Sequence, residues 1–207
     1  MKRMPVLTTT RKVQLYWQAI RVRREFCSDV DFVKMTHVWG ELLTPEEGWS
    51  INKFQSGYGE DYVRRAAVVA LGHGVRLTVD DELWTRAERG EEIPNYILAH
   101  ELGHLIMGHH ARNAVSKNFQ LFSGPRGMSN IPPTAEELEA NLVAVFLQCG
   151  PALENPMWET RYLAKRAFAP FSEVRAAQKL VCGEPFQKEL QRVRSLNLVS
   201  QYPREVF

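Results

Sequence analysis

Val13, Trp17 and Ile20 recur at helical spacing near the start of the chain, and Leu15, Ala19 and Val22 widen the same apolar face. The spacing predicts a helix from about Arg11 to Phe26, capped by Thr10. Ser28 with Asp31 three residues on reads as a capping box for a second helix reaching Leu43, which Pro45 and Glu46-Glu47-Gly48 end. The pattern then changes. Trp49 to Asn52 forms a short candidate strand, and two β-branched runs, Ala66–Leu71 and Val75–Val79, flank Gly72-His73-Gly74. They predict a hairpin over about 62–80, with a helix over Tyr62–Ala70 as the competing reading of a short apolar run.

Helical periodicity returns from about Asn95 to Ala111 through Tyr96, Ile97, Leu98, Leu102, Leu105 and Ile106. Residues 112–133, with Gly124, Pro125, Gly127, Pro132 and Pro133, read as a long irregular connection of the kind that carries function. Thr134 caps a helix to about Gln148, closed by Gly150-Pro151, and further helices follow Met157 and Ser172. The expected class is α+β: a compact domain with a small β-sheet, one helix on each side of the long connection and more helices at both ends. The expected division is a basic helical segment over 1–44, a core over 45–150 and a helical extension over 151–207.

The chemistry centres on His100-Glu101-Leu102-Gly103-His104, an HExxH motif, so the expected domain is zincin-like, with this as its active-site helix, the helix after Thr134 as a second ligand helix and 45–150 as its catalytic core. Histidines at i and i+4 lie about one turn apart on nearly the same helix face, so both imidazoles reach one ion. Glu101 projects beside them as a general base for a water whose pKa zinc lowers to roughly 7. Gly103 inside the helix implies close approach of another backbone or of substrate. One zinc ion is the expected cofactor, and catalytic zinc needs a third protein ligand. Glu137 can supply it from the next helix, although Thr134-Ala135-Glu136-Glu137 is also a capping box. His110 is the other source, six residues past His104, but the glycine that such sites place at 107 stands here at 108. Glu137 is the expected ligand. Asn141, on its face, is expected to hold a histidine, and His109 to support the site or face substrate. Glu139 is expected on a different side. His109, Tyr96, Tyr58 and Arg126 are the candidate oxyanion donors.

Leu98 to Leu105, continuing to Gly108-His109, together with Glu137 to Asn141 followed by Ala144 and Leu147, resembles the two motifs of the ImmA/IrrE family of metallopeptidases. Val75–Val79 resembles the strand before that family's active-site helix, and Ser172, Ala176, Ala177 and Leu180 its C-terminal helix. The chain departs at Ile97, where the family often has Thr, and at Gln148-Cys149-Gly150-Pro151, where it usually has Met-Pro or Leu-Pro. The resemblance implies a cytoplasmic zinc endopeptidase whose protein substrate is a helix-turn-helix repressor or antitoxin-type regulator, often encoded on a phage or mobile element. The competing expectation is a regulatory binding module in which the metal is structural.

Charge adds one question. The net charge of +2 conceals +7 over residues 1–24, against −5 over the rest. Such an arm can bind DNA, although a solvated helix face is the favoured reading. Cys27, Cys149 and Cys182 are odd in number and widely spaced, which fits a reducing cytosol better than a disulfide scaffold. No apolar run follows the basic start, so neither a signal peptide nor a membrane span is expected.

Overall fold

Three strands and eight α-helices make up the described part of this α+β chain. The computed structural model describes residues 6–46, 48–55, 66–71, 74–109 and 134–195. Strands β1 (Trp49–Phe54), β2 (Ala66–Leu71) and β3 (Gly74–Asp80) form one sheet in the order β1-β3-β2. β2 and β3 are the expected antiparallel hairpin, with Val68 opposite Leu77, whereas β1 runs parallel to β3, with Ile51 opposite Leu77. The strand reading therefore prevails over the helical one for 66–70; residues 62–65 lie outside the described set.

Asp80 ends β3 and caps the short helix α3 (Asp81–Glu88), its carboxylate accepting from the backbone N–H groups of Glu82 and Leu83. The helix α4 (Glu92–Ile106) follows, buried almost throughout from Pro94 to Ile106. It lies between the β2 side of the sheet and α5 (Ala135–Cys149), its most extensive neighbour. Asn95 ties the start of α4 down. Its amide donates to the carbonyls of Ala87 and Glu91, and its oxygen accepts from Met35 N–H. Trp39 Nε1 donates to Leu98 O at 3.1 Å, bracing the helix two residues before its first histidine.

The N-terminal helix α1 (Thr9–Phe26) packs along α5 and α4. Tyr16 meets Phe146 of α5 edge-on, ring centres 5.2 Å apart. Beyond α5 a 3₁₀ turn (Gly150–Glu154) leads to α6 (Thr160–Arg166), α7 (Phe171–Val181) and α8 (Glu184–Ser195), which close the molecule through Val174, Val181, Phe186 and Leu190. No described helix is long and apolar enough to cross a membrane.

Several boundaries differ from the expectation. The N-cap of α1 is Thr8, whose Oγ1 accepts from Arg11 N–H; Thr9 and Thr10 are helical. Ser28 and Asp31 begin no helix. Ser28 Oγ donates to Asp31 Oδ2, and the Asp31 carbonyl is claimed by Arg23. Helix begins only at α2 (Met35–His37), which runs on as a π-helical segment (Val38–Leu43). The helix α4 starts three residues before Asn95 and stops at Ile106 rather than Ala111. The helices α3 and α8 were not anticipated.

Candidate metal centre

The geometry begins with a missing side chain. A Cβ on Gly103 would lie 3.0 Å from Ala140 O and 3.3 Å from Ala140 Cα, so the glycine lets the backbone of α5 press against α4. That contact carries the first turn of α5 to the histidines. Thr134 caps α5, its Oγ1 accepting from Glu137 N–H at 3.2 Å, while the Glu137 carboxylate faces α4. Glu137 Oε2 lies 3.2 Å from His100 Nε2, Glu137 Oε1 lies 3.5 Å from His104 Nε2, and the two Nε2 atoms are 3.0 Å apart. Cap and ligand are thus compatible roles: the Glu137 backbone serves the helix and its side chain meets the imidazoles. His100, His104 and Glu137 form a group that could hold a metal ion.

Their partners test whether such an ion fits. His100 Nδ1 is 2.9 Å from Asn141 Oδ1, an oxygen that also accepts from Tyr96 OH at 3.0 Å. An amide oxygen only accepts, so His100 Nδ1 carries the proton, and in the neutral ring that binds a metal Nε2 keeps its lone pair. On the other side, His104 Nδ1 is 2.9 Å from His109 Nδ1, and His109 Nε2 is 3.2 Å from Glu139 Oε2. A carboxylate accepts, so a neutral His109 is protonated at Nε2, and its Nδ1 accepts from His104 Nδ1–H. His104 Nε2 then also keeps its lone pair. Two lone pairs 3.0 Å apart beside a carboxylate form an electron-rich trio that a cation stabilises. Two nitrogens and one oxygen are a donor set that suits zinc.

Glu101 stands next to this trio. It is 1% exposed, and its Oε2 accepts from Val68 N–H of β2 at 3.0 Å. Its Oε1 is buried with no hydrogen-bond partner among the described residues. Burial pushes the Glu101 carboxyl well above the usual range; Val68 N–H opposes this and the charge of Glu137 adds to it. A buried carboxyl with one oxygen anchored and one left over has the makings of a proton carrier.

His109 reaches His104 through the end of α4. Gly108 has φ +62°, Gly108 N–H donates to Leu105 O, and His109 N–H donates to His104 O. This pair of bonds is a Schellman ending, which folds the second residue after the cap back over the last helical turn. The contact that is usually apolar is here imidazole on imidazole, and it engages His109 with His104. Tyr96 is likewise occupied with Asn141. His110, Tyr58 and Arg126 lie outside the described residues.

Sequence reasoning missed Glu139 and Arg11. Glu139 was expected on another side of α5, yet its carboxylate meets His109 and also takes two N–H groups from Arg11, Nε to Oε1 and Nη2 to Oε2, each at 2.6 Å. Burial raises the Glu139 carboxyl, but the bonds from Arg11 and His109 outweigh it and leave it below the usual range. The only local signal was an acid two residues past Glu137; Arg11 is 128 residues away in sequence.

No protein-family model, curated protein or solved structure matches the chain, so the centre is read from its own chemistry.

Proposed function

We propose that the chain is a zinc-dependent metallo-endopeptidase of zincin type, acting in the cytoplasm on a helix-turn-helix repressor or antitoxin-type regulator. One observation carries the reading. The electron-rich trio of His100, His104 and Glu137 adjoins a buried Glu101 carboxyl whose Oε1 has no partner among the described residues. The substrate class rests on the resemblance to the ImmA/IrrE family alone.

His100 and His104 would hold the zinc through Nε2, and Glu137 through its carboxylate. The ion supplies Lewis acidity, which polarises a carbonyl and acidifies water. Glu101 does the proton work. Its Oε1 accepts the proton of the water that attacks the scissile carbonyl, then delivers it to the amide nitrogen as the C–N bond breaks. Val68 N–H holds the other oxygen, which fixes the direction in which the carboxyl can act. Among the described residues β2 pairs only with β3, and the edge it turns away from β3 meets Glu101 through Val68 N–H, so an extended peptide backbone adding to that edge would run past Glu101.

Glu101→Gln tests the assignment. The amide preserves shape and removes the base, so purified protein should retain one equivalent of zinc by elemental analysis. Cleavage of a cognate helix-turn-helix regulator should fall by about 100-fold or more. Cleavage at the original rate by the zinc-loaded variant would refute Glu101 as the base.

A further inference from the structure

We propose that Arg11, Glu139 and His109 are a positioning relay that locks His104 in its Nδ1–H tautomer and makes metal retention depend on the seating of the N-terminal helix. The proposal rests on the metal-site reading above and extends it to residues outside the ligand set.

The argument is one of valence at each link. Arginine has donors and no acceptor, and Arg11 gives two of them to Glu139, fixing that side chain as an acceptor in a set orientation. Glu139 Oε2 therefore requires a proton on His109 Nε2, which in the neutral ring leaves His109 Nδ1 as a lone pair. His109 Nδ1 requires a proton on His104 Nδ1, and the His104 Nε2 lone pair must point at His100 and Glu137. If Glu139 were removed, His109 could carry its proton on Nδ1. The two Nδ1 atoms at 2.9 Å would then compete, driving His104 toward the Nε2–H tautomer, whose Nε2 cannot bind the metal. The Glu139 and His109 side chains are 12% and 3% exposed, so water replaces neither partner readily. Arg11 belongs to α1 and Glu139 to α5, so a displacement of the start of α1 would undo the first link.

Two measurements test the relay. Long-range ¹⁵N–¹H spectra of the full chain, zinc-free and zinc-loaded, should show His104 protonated at Nδ1 and His109 at Nε2; His109 protonated at Nδ1 overturns the proposal without any substitution. Zinc affinity by chelator competition should weaken by about 10- to 100-fold in Glu139→Leu, as for other partners of metal-binding histidines. The loss should be severalfold in Arg11→Met, and Arg11→Met should cost nothing more once Glu139 is leucine. Unchanged affinity in both single variants, or additive losses in the double, overturns the relay while leaving the metal site standing. A wild-type chain that takes up no zinc removes the site reading and the relay with it. Should Glu139→Leu fail to fold, the wild-type tautomers and Arg11→Met still decide.

Discussion

The helix α1 grips α5 with an arginine at each end, and the two grips differ in kind. Arg11 reaches the first turns of α5 and meets the Glu139 carboxylate with its side chain 30% exposed. Arg23 reaches the far end and is fully buried. It donates to the backbone carbonyls of Leu147 and Gln148 on α5, and to that of Asp31. Those α5 carbonyls lie in the last turn of the helix, at its negative end. Arg23 thus completes the fold, and Arg11 orients a site. The difference lies in the partner rather than in the arginine: backbone carbonyls are fixed, whereas a carboxylate passes its orientation on. The contrast also accounts for part of the basic N-terminus. Arg11, Arg23 and Arg24 have partners inside the molecule, which reduces the charge available to DNA.

Arg23→Met is the strongest way to break the comparison. It strands at least two buried carbonyls, at about 1–3 kcal/mol each, and should cost about 3 kcal/mol in total. For a chain of this size that lowers the melting temperature by roughly 6–12 °C. Zinc affinity of the folded protein should stay as it was. A calorimetric scan with a parallel zinc titration checks both, and a 10-fold loss of affinity without loss of stability would reverse the roles given to the two arginines.

Gly103→Val lies between these extremes because it strikes fold and site together. Its Cβ would meet the α5 backbone at Ala140, which cannot move aside as a flexible side chain can. The expected cost is about 1–3 kcal/mol. Because the strain parts α4 from α5, Glu137 should also draw away from the histidines and zinc should bind more weakly. Loss of stability at full zinc affinity would show that the ligand geometry does not depend on this contact.

How far the sequence foretold this arrangement depends on the distance over which each piece is fixed. His100, Glu101 and His104 are set by one helical turn. Glu137 and Asn141 are set by another, with Thr134 marking where it begins, so all five were legible. The hairpin was legible from its β-branched runs on either side of Gly72-His73-Gly74, but the parallel pairing of β1 with β3 depends on a crossover that no local pattern records. The helix α8 did carry a signal in Phe186, Leu190 and Val193 at helical spacing. The failure at Glu139 is instructive. Two residues along a helix point about 200° apart, so placing it away from Glu137 was sound geometry. What local reasoning lacked was the Schellman ending at Gly108, which swings His109 far enough round to reach it, and Arg11 arriving from the other end of the chain.

Arg24 supplies the smallest effect and the sharpest control, because it is the neighbour of Arg23 on the same helix. Its guanidinium meets Asp29 at 3.0 Å and 2.7 Å, but the two side chains are 53% and 40% exposed. Water competes for both, so Arg24→Gln should cost only about 0.5 kcal/mol at neutral pH, and less in high salt. The pH dependence has a definite sign. The hydrogen bonds from Arg24 hold the Asp29 carboxyl below its ordinary value, with burial acting against them. The pair therefore stabilises the fold above the unfolded carboxyl pKa, about 3.9. That stabilisation disappears as the pH falls through the lower folded value. Urea titrations of the two proteins should differ at pH 7 and converge toward pH 2. A loss at pH 7 as large as that of Arg23→Met, or a difference that persists in acid, would mean that burial does not separate these adjacent arginines.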